Sequence, residues 1–70
     1  MKRSELKIGI VVKEKKPPKG FSSLITAKVL YIHEDGYVEL ERMDITSDNK
    51  YDLLWSIHDE KEYKDWEVVK

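Results

Sequence analysis

The 70-residue sequence contains no cysteine, two prolines and three glycines. Without cysteine the chain forms no disulfide, no thiolate zinc site and no thiol nucleophile. Small secreted domains normally carry disulfides, so the composition favours a cytoplasmic protein. No apolar run approaches the roughly 18 residues of a membrane span, and the run from Ile8 to Val12 is shorter than the about 7–15 residues of a signal-peptide core. We therefore expect a cytoplasmic protein that does not act at a membrane.

A marked net charge is also lacking, since 13 Lys plus Arg residues stand against 14 Asp plus Glu residues. The distribution is uneven: residues 1–28 hold eight basic and two acidic side chains, and residues 29–70 hold five basic and twelve acidic ones. This asymmetry indicates either a basic arm for an anionic partner or two halves that neutralise each other. The length predicts a single domain over residues 1–70.

Alternating apolar residues predict a first strand over residues 6–13, with Gly9 marking a bend. Residues 14–20 are basic and contain Pro17 and Pro18, which exclude a helix or a central strand and predict a stiff loop. Two further extended segments, 22–33 and 37–41, flank a turn at residues 34–36.

The turn permits two registers. A two-residue Asp-Gly turn places Val38 on the face of His33, whereas a three-residue loop with Gly36 in the left-handed region pairs Ile32 with Val38 and Leu30 with Leu40. We prefer the second register because it buries four aliphatic side chains together. The apolar positions change parity near residue 29, which predicts a β-bulge there.

Two interpretations compete for the last third. Tyr51, Leu54, Trp55 and His58 have helical spacing, so a helix over residues 50–64 is one option. The other is a fourth strand over residues 53–57, a short helix opened by Asp59 and Glu62, and a last strand over residues 66–69. We favour the second, because residues 60–65 are too polar for the end of a packed helix.

The element order predicts a mainly β protein, a small SH3-like barrel of about five strands with one short helix before the last strand. Segments 7–12, 26–32 and 64–69 (KIGIVV, TAKVLYI and KDWEVV) resemble the small SPβ-prophage YorP family of Bacillus proteins. The resemblance implies an SH3-like fold and a phage or prophage context, and it implies no active residues.

The candidate binding residues are Lys13, Lys15, Lys16 and Lys19 in the basic loop, and Tyr31 and Tyr37 at the hairpin. Lysines attract phosphates in a salt-dependent way, but a charge run is more often a solvated surface. We expect Trp55 and Trp66 in the core, because two indoles supply much of the buried area of a small domain.

Ile32-His33-Glu34-Asp35 and Ile57-His58-Asp59-Glu60 are similar tetrads. In the preferred topology both histidines end at the same rim, about 10 Å apart, where a shared zinc ion is conceivable. Ordinary turn chemistry at two strand ends explains the likeness more simply.

No arrangement of nucleophile, base or phosphate-binding loop is recognisable, so we predict neither enzymatic activity nor a cofactor. The leading hypothesis is a monomeric, phage-type interaction module that binds a protein partner through the basic loop and Tyr31/Tyr37. Nucleic-acid binding through the basic loop is the alternative, and a structural role in an assembly is a third option.

Overall fold

A computed structural model describes residues 1–17, 19–20 and 22–70; Pro18, predicted to stiffen the basic loop, lies outside them. The sheet has five strands: β1 (Val11–Glu14), β2 (Thr26–Ile32), β3 (Val38–Arg42), β4 (Leu54–Ile57) and β5 (Trp66–Val68). Three short 3-10 helices accompany them: η1 (Arg3–Glu5), η2 (Lys50–Leu53) and η3 (Glu60–Asp65). All neighbouring strands are antiparallel, in the order β4-β3-β2-β1-β5. The predicted fold class is confirmed: the chain is mainly β, with a short helix before the last strand.

The first strand is shorter than predicted, because it begins at Val11 rather than at residue 6. Gly9 has a φ of 93°, and the Ile10 N–H donates to the Lys7 carbonyl at 3.2 Å. This turn breaks the alternating segment at the predicted bend. Leu6 nevertheless reaches the core, where it is 7% exposed.

The β2–β3 hairpin confirms part of the preferred register. Ile32 lies opposite Val38 as predicted, and Gly36 has a φ of 95°. The pairing of Leu40 with Leu30 is wrong: Leu40 lies opposite Val29, because the register shifts between Val29 and Tyr31. The shift is the predicted bulge, which adds one residue to β2. β2 also begins only at Thr26: Ser22 and Ser23 form a bend, and Leu24 and Ile25 have no regular structure.

The last third follows the favoured interpretation, and the long helix over residues 50–64 is not formed. Asn49 caps η2 by accepting a hydrogen bond from the Tyr51 N–H at 3.0 Å, and β4 follows directly. Asp59 caps η3 by accepting from the Lys61 N–H at 2.8 Å. The expected partner in this cap, Glu62, instead accepts from the His58 N–H at 3.3 Å.

The core lies on the inner face of the sheet. Along β3, Val38 and Leu40 are fully buried while Glu39 between them is exposed, the alternation expected of a strand with one solvated face. Within the described part of the chain, the buried residues that form the hydrophobic core are Leu6, Val12, Ile25, Ala27, Val29, Val38, Leu40, Ile57, Tyr63 and Trp66.

The two tryptophans differ in burial: Trp66 is 3% exposed, as predicted, whereas Trp55 is half-buried and packs against the core from one side. Tyr63, in the polar segment 60–65, is an unexpected core residue, and its hydroxyl donates to the Gly36 carbonyl at 2.7 Å. This bond ties η3 to the hairpin.

In the described part of the chain, no helix has the length and apolar character needed to cross a membrane.

Candidate functional site

The basic loop presents three of its four predicted lysines to solvent. Lys15, Lys16 and Lys19 are exposed. Lys13 lies on β1 opposite Glu67 of β5, and its ammonium group is 3.4 Å from the Glu67 carboxylate. This cross-strand pair reduces the positive charge that the loop offers to a partner.

Tyr31 and Tyr37 belong to a row of four rings on the outer face of the sheet, which we call the ring row: Tyr31, His33, Tyr37 and His58. Successive ring centroids are 4.7, 5.2 and 5.9 Å apart, and the first two contacts are edge-to-face. The row therefore extends from β2 across the hairpin to the residue that follows β4.

Local hydrogen bonds hold the ring row in place. The His33 Nε2 lies 2.7 Å from the Glu39 carboxylate, and Glu39 lies opposite Tyr31 in the sheet. The Tyr37 N–H donates to the Asp35 carboxylate at 3.0 Å, which fixes the turn. Tyr31 is 52% exposed, so the row combines an ordered arrangement with accessible aromatic surface.

The basic loop and the ring row lie at opposite ends of β2. Lys13 lies opposite Thr26 at the start of that strand, and Tyr31 is near its end. Seven residues of strand span roughly 20 Å. The two groups of predicted site residues therefore form two separate surfaces rather than one face.

The two histidines do end at the same rim, but the Tyr37 ring lies between them. Among the residues that the structure describes, no three His, Asp or Glu side chains are grouped closely enough to hold a metal ion. In both tetrads the isoleucine ends a strand, Ile32 in β2 and Ile57 in β4.

A groove that sequence reasoning missed separates the two edge strands, β4 and β5. This seam groove has a volume of about 490 Å³. Its lining residues come from both edges and from the ends of β1 and η3: Glu14, Leu54, Trp55, Ser56, His58, Glu62, Asp65 and Trp66. The ring row and the seam groove meet at His58.

The seam groove is acidic. Glu14 lies opposite Trp66 at the end of β1, and its Oε1 is buried without a hydrogen-bond partner. Burial raises the pKa of Glu14, and the neighbouring carboxylate of Asp65 raises it further. Arg42 acts in the opposite direction, more weakly than these two effects.

Arg42 contacts both an acid and a ring close to the groove. Its guanidinium group donates two hydrogen bonds to Asp44, at 2.5 and 3.1 Å, and its Cζ lies 5.5 Å from the centroid of the Trp55 ring. The hydrogen bond from Arg42 lowers the pKa of Asp44.

One signal for the groove was present in the sequence. Glu14 follows Val12 by two positions on a strand, so both side chains point to the inner face. A carboxylate at an inward position at the end of a strand indicates an opening in the core. The groove itself is the space between β4 and β5. That spacing depends on how η3 is arranged in three dimensions, and no pattern in the sequence indicates it.

Comparisons with known protein families, curated proteins and solved structures give no match to this chain.

Proposed function

We propose that the chain is a small, non-enzymatic protein-interaction module whose partner protein binds the ring row. The observation that carries this proposal is the ordered row of four rings on the solvent-facing side of the sheet. Aromatic side chains are enriched in the residues that dominate protein interfaces.

Order in the free protein supports the proposal. Tyr31 and Tyr37 both pack edge-to-face on His33, which Glu39 holds in turn. Rings that are already fixed lose little conformational entropy when a partner binds. A partner contact of standard size, about 800 Å² on each side, would cover about one-sixth of the 5107 Å² surface.

Nucleic-acid binding through the basic loop is the second candidate, because Lys15, Lys16 and Lys19 are close in sequence and exposed. Three observations weigh against it. Lys13 is paired with Glu67, and the ring row is too far along β2 to stack bases that the loop holds. The net charge of −1 is also unusual for a dedicated nucleic-acid-binding domain of this size.

The proposal places the module in the cytoplasm and in a phage or prophage context, as a monomer. The lack of cysteine and the resemblance of segments 7–12, 26–32 and 64–69 to the YorP family support this setting.

A comparative pull-down tests the main proposal. Three bait proteins are immobilised on resin: the wild type, a Tyr31→Ala/Tyr37→Ala double variant and a Tyr51→Ala control. Each is incubated with bacterial lysate, and the captured proteins are quantified by mass spectrometry. Tyr51 is 80% exposed and lies in η2, outside the row, so it matches the chemistry of the change without its location. We expect a protein retained by the wild type and the control and lost by the double variant. The same captured set on all three proteins would contradict the proposal.

Fluorescence anisotropy with labelled single-stranded and duplex oligonucleotides tests the second candidate. Salt-sensitive binding that Lys15→Glu/Lys16→Glu abolishes would support the nucleic-acid function, because neutralised phosphates release counterions in proportion to the lysines involved. We expect no binding at low salt.

A further inference from the structure

We propose that the seam groove is a second binding site, which takes an extended segment of another protein as an added strand on β4 and places one Lys or Arg side chain of that segment against Glu14. This site needs neither Tyr31 nor Tyr37, so it stands or falls separately from the function proposed for the ring row.

β4 lies at one edge of the described sheet. In the described sheet β4 pairs with β3 alone, through the register Val38–Ile57 to Glu41–Leu54. In an antiparallel pair, alternate residues direct their N–H and C=O groups away from the partner strand. On β4 these are the groups of Leu54 and Ser56; the Leu54 N–H already donates to the Tyr51 carbonyl, so an incoming strand can use the Leu54 C=O and both backbone groups of Ser56.

The shape of the groove also suits an extended segment. Its volume of about 490 Å³ lies within the range of about 300–1,000 Å³ that is usual for ligand clefts. Trp55 lines it from β4 and Trp66 from β5, and Leu54, at its β4 edge, is 48% exposed. An extended segment alternates its side chains, so every second one would face the core side, where the indoles lie.

Charge determines which segment fits. Glu14, Glu62 and Asp65 all line the groove. Among the described residues, neither Glu14 nor Asp65 forms an ion pair. Lys15, Lys16 and Lys64 border a neighbouring depression that shares Glu14 and Asp65, so these cations lie beside the groove without pairing with its acids.

Glu14 is the residue that would receive the partner's cation. Its buried Oε1 lacks a hydrogen-bond donor, and an ammonium or guanidinium group supplies one. A carboxylate oxygen that is buried without a hydrogen-bond donor is unfavourable, and a charge-assisted hydrogen bond offsets that cost. A peptide with a basic side chain at this position should therefore bind the groove more tightly than one with a neutral or acidic side chain.

Selection from a random twelve-residue peptide library displayed on phage tests the proposal with a defined probe. We expect enriched peptides with a Lys or Arg inside a run of β-branched or aromatic residues. In 15N-labelled protein, one such synthetic peptide should shift the amide signals of Leu54–Ile57 and the indole signals of Trp55 and Trp66. Replacing its basic residue by norleucine should weaken binding about tenfold or more.

Two sets of variants sharpen the test. Glu14→Gln should weaken peptide binding about as much as the norleucine replacement does. Glu34→Gln, the same change at an exposed hairpin position, should leave peptide binding unchanged. N-methylation of the peptide should abolish binding at alternate residues only, which is the signature of strand addition. The spectrum of each protein variant shows whether it is folded.

The proposal would be overturned if the selection enriched no peptide, or only peptides without basic residues. N-methylation effects that do not alternate along the peptide would also overturn it. So would concentration-dependent sizing that shows a second copy of the chain on β4. Shifts confined to the ring row would overturn it while supporting the function proposed for that surface.

Discussion

Glu14 and Asp44 are neighbouring carboxylates whose pKa values move in opposite directions. Burial and Asp65 raise the pKa of Glu14, while the hydrogen bond from Arg42 lowers that of Asp44. The ionised form of Glu14 therefore costs folding energy at neutral pH, and the ionised form of Asp44 contributes it. A destabilising charge retained at the end of a strand is typical of a functional position.

Glu14→Gln should stabilise the protein at pH 7, by less than about 1 kcal/mol, because solvent screens the exposed part of the Glu14 side chain. The folded pKa of Glu14 lies above the unfolded one, so the folded state binds more protons there. The free energy of unfolding therefore falls as the pH rises from the unfolded to the folded pKa of Glu14, and a neutral Gln avoids this loss. Urea unfolding at pH 7 and near pH 3 measures the effect, which should largely vanish at the lower pH. An equal gain from the control Glu34→Gln would show that general charge reduction, and not the groove, is responsible.

Asp44→Asn should have the opposite effect, a loss of about 1–3 kcal/mol at pH 7. The Arg42 and Asp44 side chains are only 11% and 13% exposed, so solvent screens their pair weakly. The folded pKa of Asp44 is lowered, so its contribution is present above the unfolded pKa and disappears as the pH falls through the folded pKa. The loss should therefore shrink in unfolding experiments near pH 2. An equal loss at both pH values would contradict an electrostatic origin.

At the scale of elements, the hairpin and η3 are locked together at Gly36. A Cβ built on Gly36 would lie 2.9 Å from the Cγ of Glu60, whose carboxylate also accepts a hydrogen bond from Arg3 at 2.7 Å. Arg3 donates in addition to the His33 and Glu34 carbonyls. The hairpin, η1 and η3 thus meet at one place beside the ring row.

Gly36→Ala should destabilise the protein by about 1–2 kcal/mol, because the residue has a φ of 95° and its new methyl group displaces Glu60. Gly9→Ala is the matched control. Gly9 has a φ of 93° with open space around the new Cβ, so it reports backbone strain alone, about 1 kcal/mol. Thermal unfolding of both variants measures the difference. Equal losses would show that Glu60 yields without cost and does not help to fix the hairpin.

At the scale of the whole molecule, the strand order places β1, β2 and β3 inside the sheet and leaves β4 and β5 as edges. We expect the amides of Val12, Val29 and Leu40 to exchange with solvent most slowly, because their strands are paired on both sides. Along β4 the outward-facing amide of Ser56 should exchange quickly, whereas the amide of Leu54, which donates to the Tyr51 carbonyl, should be more protected. Hydrogen exchange followed by NMR measures this pattern, and uniform protection along β4 would mean that its outer edge is already occupied.

The sequence predicted the fold more fully than the sites. Period-two patterning located the strands, and the parity change of β2 located the bulge, because both depend on local burial. The pairing of Leu40 with Val29 was missed, since a bulge shifts register by an amount that the pattern does not specify. Tyr63 was missed because its neighbours are polar and its burial depends on how η3 folds back onto Gly36.

For the candidate sites, the sequence pointed to Tyr31, which is exposed, and to Tyr37, which is half-buried, but not to the row that His33 and His58 complete. Ring contacts between strands depend on register and turn geometry together. The basic loop is separated from these tyrosines because β2 lies between them. The order of the segments in the sequence is enough to predict this separation.

The pairing of β1 with β5 has a consequence for how the molecule reaches its native state. Val12 lies opposite Val68, so the pair of strands at one edge of the sheet joins distant parts of the chain. Such high contact order predicts folding over about milliseconds to seconds rather than microseconds. The Glu14 and Trp66 walls of the seam groove arise from that same contact. A growing or partly folded chain therefore has no seam groove, and a peptide bound there reports that folding is complete.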